Sequence, residues 1–252
     1  RRLSGRQECP PSGSGIAMRA GSARIILMIL RCCFLPLILL LSGCCKFEPE
    51  PHWEALFDGK TLDGWEVTDY IASRGADVKE GGVIEIRPGE PLGGIRWVGE
   101  DLPVVDYEIE LEARRVEGDD FFCCFTFPYK EMHASFVVGG WGGALTGISN
   151  VGGYDASENS TMSIGNFENG TWYTIRLRAT GDRIETWIDG EPSVNLRTTG
   201  QRIEMRFGEI EESVPMGVSV FMTTAEVRNI RLKRLKSGAA AENQAEDDGY
   251  YY

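Results

Sequence analysis

The feature that most constrains this chain is a strict two-residue alternation sustained over long stretches. In YEIELEARRV, beginning at Tyr107, the residues Tyr107, Ile109, Leu111 and Ala113 share one face, and Glu108, Glu110, Glu112 and Arg114 share the other. Successive side chains leave a pleated backbone on opposite sides, so this pattern predicts a strand with one buried and one wet face. WYTIRLRAT repeats it, with Tyr173, Ile175 and Leu177 opposite Thr174, Arg176 and Arg178. Thr180-Gly181-Asp182 then turns the chain into RIETWID, and Asp189-Gly190 is a hairpin turn that favours positive φ. With EPSVNL following, these segments predict a three-stranded meander. Further strands are expected at Val83–Ile86, Gly94–Val98, Phe121–Phe127, Ala134–Val138, Met216–Met222 and Val227–Leu235. No twelve-residue segment carries a helical stripe. Many short strands separated by Gly-rich turns imply two packed antiparallel sheets, an all-β jelly-roll sandwich forming a single domain. No internal repeat has a solenoid or propeller period.

The ends of the chain read differently. Ile25 to Leu41, IILMILRCCFLPLILLL, is preceded by Arg19 and Arg24 and followed by Ser42-Gly43-Cys44. A basic region, an apolar run and small residues at the cut describe a secretory signal. Leu41-Ser42-Gly43-Cys44 resembles the bacterial lipobox, whose cysteine is lipidated and becomes the new N-terminus; the resemblance assigns that role to Cys44. A membrane-spanning anchor is the alternative, and Pro36 together with the terminal small-small-Cys favours cleavage. Met18 or Met28 would start such a signal. The expected organisation is a signal with upstream sequence over 1–43, a Pro- and Glu-containing tether over 44–52, the sandwich over 53–236 and a disordered acidic tail over 237–252. The expected location is extracytoplasmic, anchored to the bacterial envelope through the N-terminal lipid alone.

The full sequence has a net charge of −12, and residues 1–43 hold six of its arginines and one of its glutamates, so the remainder is more acidic still. Such a surface repels nucleic acid and anionic lipid. Only Cys123 and Cys124 lie in the predicted domain. Adjacent cysteines in a strand point to opposite faces and cannot join distant segments, so both read as buried apolar residues.

One stretch breaks the alternation. VVGGWGGALTGISNVGGYDASENST, Val137 to Thr161, places seven glycines between Gly139 and Gly153. It lacks the Gly-Lys-Ser/Thr ending of a phosphate loop and the third glycine of a dinucleotide fingerprint. Glycines let backbone approach a ligand, and Trp141 and Tyr154 offer apolar faces on which a sugar ring can stack. Asp155 and Glu158 could act as general acid and base across a glycosidic bond, or hold Ca²⁺ with backbone carbonyls, with Asn159 beside them to bind substrate. A solvated turn in an acidic protein is the structural alternative. His133, the only histidine within the predicted sandwich, opens the strand leading into this stretch and is a candidate proton shuttle; a His-cluster metal site is excluded. Asp120, in the turn Gly118-Asp119-Asp120, is a further catalytic candidate. Trp65 and Trp172 read as core aromatics.

ALFDGKTLDGW (Ala55 to Trp65), FENGTWYTIRLRATGDRIETWIDGEPSVN (Phe167 to Asn195) and VRNIRLKRL (Val227 to Leu235) resemble the opening, central and closing segments of the 3-keto-disaccharide hydrolase-like domain family. The resemblance implies a concanavalin A-like sandwich that binds or cleaves carbohydrate on one sheet and its rim loops. It further implies acid–base chemistry in which a 3-keto group acidifies a neighbouring C–H, the glycosidic bond breaks by elimination, and water adds afterwards. Where the family carries Asn-Ser-Gly, a strand ending in Arg and a Glu-containing strand, this chain has Asp119 and Asp120, Phe125 or Thr126, and no Glu between His133 and Gly139. A non-catalytic glycan-binding or adhesion module is therefore the second expectation, and a structural envelope protein the third. No cofactor is expected beyond the Ca²⁺ alternative.

Overall fold

The computed structural model describes residues 50–236. The expected signal, its start methionine, the lipidation site Cys44 and the acidic tail lie outside the described residues. Fifteen strands follow in chain order: β1 (Trp53–Ala55), β2 (Trp65–Val67), β3 (Ala76–Lys79), β4 (Val83–Ile86), β5 (Leu92–Trp97), β6 (Tyr107–Glu117), β7 (Cys123–Tyr129) and β8 (Met132–Gly139). After a glycine turn come β9 (Leu145–Ser149), β10 (Ser163–Ile164), β11 (Tyr173–Ala179), β12 (Arg183–Ile188), β13 (Glu191–Arg197), β14 (Gly217–Phe221) and β15 (Thr224–Arg234). The first sheet runs β13-β12-β11-β6-β15-β4-β3, with β1 also on β15, and the second runs β10-β9-β8-β7-β14-β5-β2. All ladders are antiparallel. This is the expected jelly-roll sandwich.

The core is made by alternation within both sheets. Ile109, Leu111, Ile175 and Leu177 of the first sheet meet Phe125, Phe127, Phe136 and Val218 of the second, all fully buried. Register keeps like with like: Ile109 lies opposite both Leu177 and Leu232. The predicted meander forms as β11–β12–β13, and its second turn has positive φ at both Asp189 and Gly190, which matches the twist of the flanking strands. Cys123 enters the main core, while Cys124 faces the other way into a small cluster with Val137, Leu145 and Ala156. Both are free thiols.

Two expectations need correction. Trp65 is buried in the core, but Trp172 is half-buried on the outer face of the first sheet, clamped between Arg114 and Arg228 at 4.7 and 4.1 Å from its ring centre. It lies one residue before β11, so its side chain falls on the same face as Thr174 and Arg176 rather than with Tyr173. The predicted strands also omit β1, β2, β3, β9 and β10. Each is too short, or too rich in glycine and hydroxyls, for alternation to mark it.

Candidate functional site

The two sheets present very different outer faces. On the first, Glu108, Glu110, Glu112 and Glu226 alternate with Arg178, Lys233, Arg231, Arg228 and Arg114 in ion pairs of 2.5–2.7 Å. On the second, the side chains that alternate with the core residues are small: Cys124 and Thr126 on β7, Ser135 and Val137 on β8, Gly147 and Ser149 on β9, Gly94 on β5 and Ser219 on β14. Small outward residues leave a trough.

Part of that trough is filled by the segment that leads into β14. Its single 3₁₀ turn, Glu209–Ser213, is seated by hydroxyls. Ser213 donates to the Ile210 carbonyl at 2.6 Å, so in the 2.7 Å contact between Thr126 and Ser213 it is Thr126 that donates. Tyr70 covers the neighbouring strand with its phenol 2.7 Å from Ser219, and burial raises its pKa, so it stays neutral.

What remains open at one end is a cavity of about 390 Å³. Its floor is Cys124, Ser135, Val137 and Ser149, its aromatic walls include Trp141, Phe121, Phe207 and Phe221, and its charged groups are Asp120, Arg206 and Glu209. Burial pushes the Cys124 thiol up to about 12, which leaves it protonated.

The glycine turn after β8 builds the wall. Gly139, Gly142 and Gly143 all have positive φ, and so does Trp141 at +50°. A Cβ on Gly143 would stand 2.8 Å from the Asp119 carbonyl oxygen and 2.9 Å from the Arg115 guanidinium, so only glycine fits there. Trp141 has no such freedom, and its left-handed conformation is strained. The turn holds it with its indole 44% exposed at the cavity rim. Asp120 fastens the turn, its carboxylate accepting from the backbone N–H of Phe121 at 2.7 Å and of Gly142 at 3.1 Å. Beneath, the Arg115 guanidinium, only 6% exposed, donates to Asn169 Oδ1 and to the carbonyls of Asp120 and Phe167, tying three loops together.

The other sequence candidates are distributed as follows. Asp155 approaches the cavity through Arg206, with which it pairs at 3.2 Å, and its second oxygen accepts from the N–H and hydroxyl of Ser157. Glu158 is exposed and Tyr154 is 60% exposed, and neither lines this cavity. The amide of Asn159 donates to the carbonyls of Ile148, Tyr154 and Asp155, and its oxygen accepts from the N–H and hydroxyl of Thr161. Asn159 is thus engaged in holding its own loop. His133 lies in a second cavity of about 420 Å³, where burial lowers its pKa and favours neutral imidazole. The geometry therefore unites Asp120 and Trp141, adds Asp155 through Arg206, and leaves Glu158, Tyr154 and His133 outside the first cavity. Among the described residues no three His, Cys, Asp or Glu side chains converge as a metal site.

Arg206, Phe207 and Glu209 were not legible as site residues. They sit in QRIEMRFGEIEES, a polar segment without periodicity, and only the folded chain carries it across the face of the second sheet.

The family model of the 3-keto-alpha-glucoside-1,2-lyase-like domain matches residues 52–233. The chain belongs to this family. No curated protein sequence matches it. Among solved structures it is similar to the Crh5 transglycosylase, at 14% identity over 76% of this chain and 86% of that one, with a TM-score of 0.51. The same enzyme in complex with NAG also matches, at 14% identity over 75% and 85%, with a TM-score of 0.50. A Bacillus licheniformis beta-glucanase is 11% identical over 75% of this chain and 99% of that one, with a TM-score of 0.46. The likeness to Crh5 concerns the fold, a sandwich of two antiparallel sheets.

As a 3-keto-α-glucoside-1,2-lyase-like domain, the chain uses its opening signature structurally. Asp58 accepts from the N–H of Lys60 and Thr61 and from the Thr61 hydroxyl, and those backbone donors lower its pKa. Gly64 lies against Trp97, whose ring would be 2.8 Å from a Cβ there. Trp65 then packs edge-on to Trp97 and donates to the Leu56 carbonyl at 2.8 Å.

Proposed function

We propose that this domain binds a 3-keto-α-glucoside in the cavity beside Trp141 and cleaves it by 1,2-elimination. The observation that carries the reading is one cavity on the outer face of the second sheet that is lined by a strained, half-exposed tryptophan, Trp141, together with a carboxylate and a guanidinium, Glu209 and Arg206. Tryptophan supplies an apolar platform for the sugar ring. One Glu209 oxygen accepts from the Ile71 N–H at 3.2 Å, which fixes the carboxylate and leaves the other oxygen for the substrate.

In this reading Glu209 removes the C2 proton, made acidic by the C3 ketone, and Arg206 stabilises the oxyanion that develops at C3. The electron pair then forms the C1=C2 double bond as the C1–O bond breaks, and the departing oxygen regains a proton from Glu209 or from water. Water added across the new double bond releases the free 3-keto sugar. Asp120 positions the Trp141 turn, and Asp155 orients Arg206. The leader reading extends the proposal to a lipid-anchored, extracytoplasmic protein; a Cys44→Ser chain that still incorporates labelled palmitate would overturn that part.

The second reading, a glycan-binding module without turnover, is favoured by one observation: the strand positions flooring the cavity are a thiol, hydroxyls and valine, so every ionisable group except that buried thiol comes from rim segments. Alcohol release from methyl 3-keto-α-glucoside, with binding followed by calorimetry, separates the two. Elimination predicts that Glu209→Gln lowers kcat by about 100-fold while Kd changes by less than about threefold. Binding without turnover in the wild-type chain selects the module, and no binding rejects both.

A further inference from the structure

The second cavity, where His133 lies, adjoins the first. Phe207 borders both, and it is 92% exposed. The floor is continuous as well, since Ser135 of the first cavity contacts the sulfur of Met205 in the second at 3.6 Å. One segment of chain, Glu204–Glu211, forms the ridge between them. A lone exposed aromatic is ordinary on a protein surface. One standing at the junction of two cavities, each large enough for a small-molecule ligand, is placed to touch both halves of a longer one.

Resting on the reading above, we infer that the second cavity is a binding site for the ring attached to the scissile oxygen, with Phe207 as the stacking surface that separates it from the 3-keto ring beside Trp141. The ligand is then a disaccharide or longer, with its leaving ring between Phe207, Met132 and Met205. The polar lining of this cavity is Glu131, Glu204, Glu211 and neutral His133, with no lysine or arginine. That lining suits an uncharged ring and disfavours a uronate or a sugar phosphate.

The experiment is calorimetry on the full chain carrying Glu209→Gln, so that no turnover is needed. The probes are methyl 3-keto-α-glucoside, a 3-keto-α-glucosyl-glucose disaccharide and the same disaccharide with glucuronate as its second ring. The disaccharide is expected to bind about tenfold or more tightly than the methyl glycoside. Phe207→Ala should abolish that advantage and Phe207→Tyr should restore it, and Met132→Ala, at a residue that lines the second cavity and not the first, should reduce it without weakening the methyl glycoside. The glucuronate form should bind more weakly than the neutral disaccharide, and the deficit should shrink in salt. Equal affinity for methyl glycoside and disaccharide, or an advantage that survives Phe207→Ala, overturns the second site while leaving the first intact. Failure of all three probes to bind overturns both.

Discussion

Trp141 joins conformation to function within one residue. A side chain in the left-handed region costs about 1–2 kcal/mol, and glycine would relieve that cost. If the strain is kept for the sake of the exposed indole, Trp141→Gly should unfold within about 1 kcal/mol of the wild type, because the gain in backbone freedom offsets the lost rim packing. The same variant should lose sugar affinity, measurable by titration calorimetry beside a denaturant melt. A variant that unfolds far more easily would instead make Trp141 a packing residue. Cys124 shows the opposite arrangement. It forms part of the cavity floor, yet burial keeps its thiol protonated, so it shapes the site without offering a nucleophile.

At the scale of elements, the charged face of the first sheet is self-neutralising. Glu108 on β6 is only 1% exposed and meets Arg178 of β11 and Lys233 of β15 at 2.7 and 2.6 Å. Burial alone would raise its pKa, but the bonds from Lys233 and Arg178 outweigh it and hold the pKa below the ordinary 4.5. A lowered folded-state value means the stabilisation is complete above about pH 4.5 and is lost as pH falls through the folded pKa. Glu108→Gln should therefore cost about 3 kcal/mol at pH 7, since it leaves two cations without their buried partner. It should also flatten the fall in Tm below about pH 4.5, as thermal melts at several pH values would show. β6 and β11 were legible because this face is charged and the other apolar, which makes the alternation clean. β9, LTGIS, was not, because its outward face carries Leu145, Gly147 and Ser149 and so has no charged stripe to contrast with the core. The weak pattern marks the sheet whose outer face is a trough.

Over the whole molecule, the architecture follows from local rules and the candidate site does not. Two amphipathic sheets bury their apolar faces on each other, and any sequence with this alternation must find such a partner surface. The described residues hold two free cysteines on opposite faces, so stability rests on the core. Reductant should leave Tm unchanged, whereas Phe136→Ala should cost about 4 kcal/mol in chemical unfolding. The site instead needs three distant segments to meet: Asp120 before β7, Trp141 between β8 and β9, and Arg206 to Glu209 before β14. Trp141 was visible in the sequence because glycines flank it. Arg206 and Glu209 were not, because nothing in a polar loop reveals which surface it crosses. The most direct test of the account is a crystal of the Glu209→Gln chain soaked with a 3-keto-α-glucoside. The account predicts the sugar ring stacked on Trp141, with its 3-keto oxygen within hydrogen-bonding distance of Arg206 and its C2 facing residue 209. A sugar bound on the first sheet, or at the exposed Tyr154–Glu158 loop with the cavity empty, would contradict it.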